Sequence, residues 1–361
     1  MMSGAVELRF DDYQERCLYD PDHGFFATSG GAGRRGDFIT SPEVGPLFGE
    51  VLARHVSAVW HALGEPTDFC VVEVGAGRGA LMASMRRAWA EMATAGEVAG
   101  APISWCVVEQ SAALRRSAVE LLGSEVDVRA ELPTAPIAGV VIANELLDNL
   151  PVRIVERTTG GWSEVWVRID EGGASEVLRP TESNSFSRAS IEWLDGFAKN
   201  AVVGTRMPIH EQGRRWVVET LRQMVGGSLI VVDYGVIVGP ELVDRTWLRT
   251  YRSHERGDDP YDSPMERDIT ADIVVDQLPP PTRVSTQADV LKRWGIGDLV
   301  AEGRRVWVER AHLGDLAALR ARSRVTEAEA LEDPIGLGGF LVLEWDVDGH
   351  HADSTPDQTP P

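Results

Sequence analysis

Hydrophobic positions along the chain fall into two periods, and the first 150 residues switch repeatedly between them. Between residues 45 and 63, Leu47, Phe48, Val51, Leu52, Val56, Val59, Trp60 and Leu63 form one stripe at helical spacing. Short apolar runs rich in β-branched residues follow at 70–74, 103–108 and 139–143, with a weaker one at 125–129. Such runs suit strands buried on both faces. Helical spacing returns at Leu81, Met85 and Trp89, and again over 112–122. Strand and helix in alternation predict a parallel, doubly wound α/β sheet.

After Pro151 the pattern changes. Residues 152–156 and 162–169 alternate in period two around 158–161, which predicts a hairpin, and the polar stretch 170–184 reads as a loop. An amphipathic helix is expected over 211–225, stopped by Gly226-Gly227, and then a buried strand over 228–233. Residues 247–252 and 338–345 read as later strands, the last one antiparallel, while 286–322 reads as mostly helical. Residues 1–12 read as a loose leader and 20–41 as loop-rich. The acidic, His- and Pro-rich stretch 346–361 reads as a disordered tail.

Candidate chemistry concentrates where strands end. The run F-C-V-V-E-V-G-A-G-R-G-A at 69–80 is a strand feeding a glycine-rich turn and then a helix. Side chains at Gly75, Gly77 and Gly79 would block a ligand, and free N–H groups at a helix start bind an anionic group. Glu73 is an acid in an apolar strand end, where burial is costly unless it holds a partner. Gly75, Gly77 and Ala80 satisfy the dinucleotide pattern G-x-G-x-x-G/A. Gly75, Gly77 and Gly79 equally satisfy the compact G-x-G-x-G of S-adenosylmethionine sites, and a turn that only lets helix and strand pack is the bland alternative. Glu109 ends the next strand, placed to hold a ribose diol with its two carboxylate oxygens. It lies further on than the roughly 20 residues usual at dinucleotide sites, which leans away from NAD.

The run V-V-I-A-N-E-L-L-D-N-L-P at 140–151 is a second apolar strand end carrying Asn144, Glu145 and, one turn later, Asp148. Groups beyond the carboxyl ends of such strands face the ligand crevice. An amide and two carboxylates suit the orientation of a cationic or amine nucleophile. The alternative makes Asn144 a helix cap and leaves Asp148 in solvent. At 36–50 the residue types fit a helix entrance, with Ser41 as N-cap, Pro42 at the first position and Glu43 in the first turn. The glycine-rich 30–36 run before it is a candidate lid.

Composition narrows the classes. A formal net charge of −21 over 361 residues argues against nucleic acid as a partner and suits a basic peptide or a cationic cofactor. Cys17, Cys70 and Cys106 form no C-x-x-C pair and are expected reduced, and the scattered histidines have no metal-ligand spacing, so no metal is expected. With no signal pattern and no apolar run of bilayer length, the expectation is a cytoplasmic, soluble protein without membrane insertion.

Taken together, the three segments resemble the MidA-like family, whose animal members are mitochondrial complex I assembly factors with protein-arginine methyltransferase activity. The matching residues are Tyr19-Asp20-Pro21 with Gly24-Phe25-Phe26, the run G-D-F-I-T-S-P-E at 36–43, and Phe48-Gly49-Glu50. They continue through Val72-Glu73-Val74-Gly75 with Gly77-Arg78-Gly79, and Ala143-Asn144-Glu145 with Asp148 and Leu150-Pro151. Asp233-Tyr234-Gly235, Ile269-Thr270-Ala271-Asp272 and Gly336-Leu337-Gly338 look like later blocks, so the resemblance spans 13–345. Ala76 stands where the family usually has proline, Leu146-Leu147 and Asn149 depart from N-E-F-F-D-A-L-P, and 251–264 matches weakly.

The resemblance implies a mostly parallel, seven-stranded class I methyltransferase sheet of Rossmann-like type with an added substrate-side region. Residues 1–66 would cover the cofactor cleft, 67–346 would form the core with its insertions, and 347–361 the tail. The implied cofactor is S-adenosyl-L-methionine, with Gly75, Gly77 and Gly79 at its methionine end, Glu109 at its ribose, Glu73 nearby, and Thr40 and Ser41 closing over the cleft. Asn144, Glu145 and Asp148 would face the methyl acceptor, an arginine of a protein such as a respiratory complex I subunit. A NAD-dependent oxidoreductase and a non-catalytic assembly factor on the same fold are the competing readings.

Overall fold

A computed structural model describes residues 5–28, 40–98, 103–181, 186–198, 201–252 and 255–348. The candidate lid at 30–36 and residues 349–361 of the expected tail lie outside the described residues, while Asp346 and Val347, expected in that tail, belong to the last strand.

The central sheet has seven strands: β1 (Cys70–Val74), β2 (Ser104–Val108), β3 (Asp127–Arg129), β4 (Ile137–Asn144), β5 (Met224–Asp233), β6 (Arg283–Thr286) and β7 (Leu341–Val347). They lie side by side in the order β6-β7-β5-β4-β1-β2-β3. Pairing is parallel from β5 through β4, β1 and β2 to β3, and β7 runs antiparallel to both β5 and β6. The apolar runs divide residue by residue between the two faces. Val71, Val107, Val140, Ile142 and Ile230 pack under helices Leu47–Ala62, Ala80–Thr94 and Ala112–Leu122, while Val72, Cys106, Val141 and Val231 pack with helix Glu211–Gln223. Burial on both sides is what makes these strands read as unbroken apolar runs.

Three strands come unusually close where glycine permits it. A Cβ on Gly139 in β4 would sit 1.9 Å from the Cys70 carbonyl oxygen, and one on Gly227 in β5 would sit 1.8 Å from the Gly139 carbonyl oxygen. Gly226-Gly227 is therefore part of β5, beside a register shift, and not a helix stop; the helix already ends at Gln223. Residues 286–322 resolve into helices Gln287–Arg293 and Ile296–Arg310 and the start of Leu316–Leu331.

An antiparallel sheet forms a second body with its own core. Gly161–Asp170 pairs with Arg153–Thr158, the expected hairpin, and also with Gly173–Pro180 and Val6–Arg9; Arg206–Ile209 joins the far side of Arg153–Thr158. Two expectations are corrected here. Within the presumed leader, Val6 lies opposite Ile169, and helix Phe10–Tyr19 follows with Phe10 fully buried. Four polar-flanked residues whose partner lies about 160 positions away leave no local periodicity to read. Within the presumed 170–184 loop, Gly173–Pro180 is a strand whose side chains are nearly all exposed, so its polarity imitates a loop. Buried Arg153 and Glu164 pair across the hairpin at 2.6 Å, and the Arg153 guanidinium lies 3.5 Å from the Phe186 ring centre.

Because the Gly139 approach leaves no room for a methyl group, Gly139→Ala should destabilise the protein by about 3 kcal/mol or more. Chemical denaturation of the two forms measures the difference.

Candidate functional site

A cavity of about 610 Å³ opens beyond the carboxyl ends of β1, β2 and β4. The sheet brings together Glu73, Gly75 and Gly77 from the β1 end, Glu109 from β2, and Asn144 and Glu145 from β4, with Thr40 approaching from the N-terminal segment. Ser41, Gly79 and Asp148 are outside its lining. The Ser41 hydroxyl is fully buried and donates to Gln287 Oε1 at 2.9 Å, which ties the N-terminal segment to the core. Thr40, not Ser41, is the N-cap of Ser41–Val44, and its N–H donates to Glu43 Oε2 at 3.2 Å in a capping box. Gly79 faces Leu122 of the neighbouring helix. Asp148 is buried behind the wall and accepts from the Tyr234 hydroxyl at 2.5 Å.

The lining acids differ in what satisfies them. Glu109 accepts from Gly77 N–H at 2.9 Å and from Ser111 N–H at 2.8 Å, so it braces the glycine turn while each oxygen keeps a further lone pair. Glu73 is buried with Oε2 unpartnered; burial pushes its carboxyl up to about 8, against the Met82 N–H that favours its charge. Glu145 sits in left-handed backbone at φ 52°. Its Oε1 accepts from Asn144 Nδ2 at 3.0 Å, while its Oε2 and Asn144 Oδ1 are buried without partners. Burial first, then the nearby Asp148 charge, raises the Glu145 carboxyl well above its ordinary value. A strained non-glycine residue and orphaned polar atoms at one spot mark a place built for a ligand.

Behind Glu145, the Asp233 carboxylate accepts from Leu147 N–H at 2.9 Å and Asp148 N–H at 3.2 Å, fixing the turn that carries Glu145. Tyr19, Phe26, Asn149, Trp216 and Asp268 also line the cavity and were not expected there by role. Tyr19 and Phe26 stack with ring centres 5.4 Å apart. Their only sequence signal was membership of the Y-D-P and G-F-F runs. Asp268 had none, since its neighbourhood is set by a three-stranded sheet of Leu248–Arg252, Glu255–Gly257 and Asp268–Ala271.

Charge on the wall is lopsided. Among the described residues, six glutamates and one aspartate line the cavity against one basic residue, Arg78. That balance favours a cation and disfavours a diphosphate. A sulfonium nucleoside fits these residues: unpartnered carboxylate oxygens of Glu73 and Glu145 await positive charge or N–H donors, and Glu109 keeps lone pairs for a diol. At Gly77, φ is 55° and an added Cβ would meet no protein atom within 4 Å, so the turn fronts open space.

Residues 51–292 match a family model described as S-adenosyl-L-methionine-dependent methyltransferase. The chain belongs to this family. S-adenosyl-L-methionine is accordingly the methyltransferase's cofactor. A protein from Burkholderia thailandensis solved with S-adenosyl-homocysteine bound superposes with a TM-score of 0.76 at 27% identity, covering 95% of this chain and 89% of that one. Curated relatives include the protein arginine methyltransferase NDUFAF7 of Rattus norvegicus and of Homo sapiens, both mitochondrial and each 28% identical. Those alignments cover 73% of this methyltransferase and 63% and 62% of the relatives, so the chain spans less than two thirds of their length.

Two outcomes follow from the geometry. Gly77→Val should abolish S-adenosylhomocysteine binding in a calorimetric titration while the far-ultraviolet dichroism of the fold persists. Glu73, held neutral at pH 7 by burial, should lose its proton when a cation binds beside it. Titration in buffers of different ionisation enthalpy should therefore show proton release at pH 7, diminished above about pH 9 and in Glu73→Gln. The same raised value means that the stability contributed by neutral Glu73 is full below pH 4.5 and is lost as pH rises to about 8.

Proposed function

We propose that this methyltransferase methylates an arginine side chain of a protein acceptor, with Glu145 gripping the guanidinium. The observation that carries the reading is the Glu145 carboxylate, fixed in left-handed backbone with one buried oxygen unpartnered at the cavity wall. A guanidinium has a pKa above 12, so removal of its proton by a side chain before transfer is implausible. A carboxylate instead binds two of its N–H groups and leaves one nitrogen exposed. The seated cation lowers the cost of ionising buried Glu145.

When bound, the cofactor would supply an electrophilic methyl on sulfur and leave as S-adenosylhomocysteine, and the Glu145 carboxylate that holds the guanidinium would accept the proton its methylated nitrogen gives up. Asn144 holds the Glu145 carboxylate through its amide, and the aromatic pair Tyr19–Phe26 narrows the approach. Asp148 acts as a positioning residue: with Tyr234 and Asp233 it fixes the turn that presents Glu145. Thr40, Glu73, Gly75, Gly77 and Glu109 serve the cofactor, whereas Ser41 and Gly79 serve it through packing.

The reading extends to the finer expectations. The strand order, with only β7 reversed, supports a class I methyltransferase core, flanked by a cleft-covering segment over 1–66 and an antiparallel substrate-side region. Relatives named as arginine methyltransferases support the acceptor type, and a respiratory complex I type subunit acted on in the cytoplasm is the acceptor we propose. The NAD reading is disfavoured by the acidic wall, since a dinucleotide's diphosphate would face it with Arg78 as the sole lining base among the described residues. A non-catalytic assembly factor has no use for the strain kept at Glu145.

Tritium transfer from labelled cofactor to an arginine-bearing protein fraction tests the activity, and amino-acid analysis identifies the methylated residue. Glu145→Gln should cut that transfer by at least about 100-fold, as expected for loss of a charged group acting on the reacting partner, with S-adenosylhomocysteine affinity nearly unchanged. Equal transfer by both forms would remove Glu145 from the mechanism.

A further inference from the structure

Helices Ile296–Arg310 and Leu316–Leu331 form a hairpin of which only one half is anchored to the body. Ile296, Leu299, Ala328 and Leu331 join the core, Glu327 Oε2 accepts from Leu47 N–H at 2.9 Å, and Arg324 pairs with Glu50 at 2.9 Å. Beyond that point the helices pack on each other. A Cβ on Gly303 would meet the Ala321 carbonyl oxygen at 2.6 Å, and the Arg322 guanidinium lies 5.2 Å from the Trp307 ring centre. Among the described residues, none of 304–323 joins a hydrophobic core cluster. From Arg304 to Arg310 the helix rises roughly 10 Å, so the connecting turn stands about that far off its last anchor. Around this tip Val308, Leu313, Leu316 and Leu319 each show more than half of their surface to water.

Charge at the tip opposes that of the rest. Residues 304–323 hold five arginines against Glu309 and Asp315, a net of +3 in a chain whose total is −21, so everything else carries −24. Arg305 pairs with Glu309 and Arg310 with Asp315. Arg304, Arg320 and Arg322 are exposed with no acid within ion-pair distance among the described residues. Aliphatic groups in water ringed by free cations match a boundary that is anionic at its face and oily beneath. They sit on both helices and on the turn between, so they crown the hairpin rather than line a groove. Protein partners are anchored chiefly by aromatic groups seated in pockets, and Trp307, the segment's one Phe, Tyr or Trp, is half-buried beneath Arg322. A second copy would bring a tip of like charge.

We propose that this tip docks the methyltransferase on a membrane surface rich in anionic phospholipid. Val308, Leu313, Leu316 and Leu319 enter the boundary between headgroups and acyl chains, and Arg304, Arg320 and Arg322 bind the lipid phosphates. No helix among the described residues is long and apolar enough to cross a membrane, so the contact is with one leaflet. The same lipids repel the acidic remainder of the chain, and distance decides the balance. The hairpin holds that remainder roughly 10 Å further off, beyond the Debye length of about 8 Å at physiological ionic strength. Attraction therefore acts at contact while repulsion is screened. The proposal stands apart from the acceptor reading, since no residue of 304–323 lines the cavity.

The full chain is sedimented with vesicles of phosphatidylcholine alone and of phosphatidylcholine with an equal part of phosphatidylglycerol. The wild type should partition onto the anionic vesicles at least about tenfold more strongly than onto the neutral ones, at roughly fivefold per engaged arginine. Arg304→Gln combined with Arg320→Gln should lower binding to the anionic vesicles by roughly 25-fold. Leu316→Ser combined with Leu319→Ser should lower it by about tenfold or more. Arg188→Gln, at an exposed arginine far from the hairpin in sequence, should change nothing. All these side chains are exposed, so far-ultraviolet dichroism should match the wild type in every variant. Equal partition onto both vesicle types, undiminished binding by either tip variant, or an equal loss in Arg188→Gln overturns the docking surface. So does light scattering that shows a wild-type dimer reduced to a monomer by the paired leucine substitutions, which would make the tip a contact between copies.

Discussion

Ionisable groups buried without a fixed counterion are the constraint around which this molecule is organised. Three adjacent parallel strands each end in an acid, Glu73, Glu109 and Glu145, and each acid is largely removed from water. Such desolvation opposes folding, and only part of it is offset locally. Glu109 takes two backbone N–H groups, while Glu145 takes one side-chain amide and Glu73 the Met82 N–H, each of these two keeping one oxygen unpartnered. The deficit is left for a bound cation, which the sulfonium of the cofactor supplies and which the proposed acceptor would supply at Glu145. A site that is incomplete alone gains specificity from what completes it.

Holding such groups still requires a stiff support. The sheet supplies it through close strand contacts at Gly139 and Gly227, and the Asp233 carboxylate supplies it through the Leu147 and Asp148 amides. Asp148 sits in the same buried knot, its carboxyl pushed up to about 6 by burial against the donating Tyr234 hydroxyl. Asp148, Asp233 and Tyr234 lie outside the cavity lining, yet they set where Glu145 points. Local strain at Glu145 is sustained because its surroundings over-determine its position.

Legibility from sequence followed the range of the interaction. Strands β1, β2 and β4 and the acids at their ends were readable, because apolar period and chain order alone specify them. The glycine turn was readable as a turn at the mouth of a pocket: Gly75 and Gly77 line the cavity, while Gly79 faces Leu122. Ser41 looked like a helix cap from residue type, but the cap is Thr40 and Ser41 is spent on Gln287, almost 250 positions away. Val6–Arg9 and Gly173–Pro180 were missed because pairing, not pattern, makes them strands. Trp216 and Asp268 were invisible as wall residues for the same reason: their place in the cavity is a property of the folded chain, not of their neighbours in sequence.

The wall of the cavity draws on segments from Tyr19 to Asp268, and its supporting strand β5 is flanked by β7 at Leu341–Val347. During synthesis on the ribosome, a nascent chain therefore holds no finished pocket until nearly all of it has emerged. Cofactor cannot rescue a half-made copy, and the unsatisfied acids must be tolerated, or shielded by chaperones, until the last strand arrives.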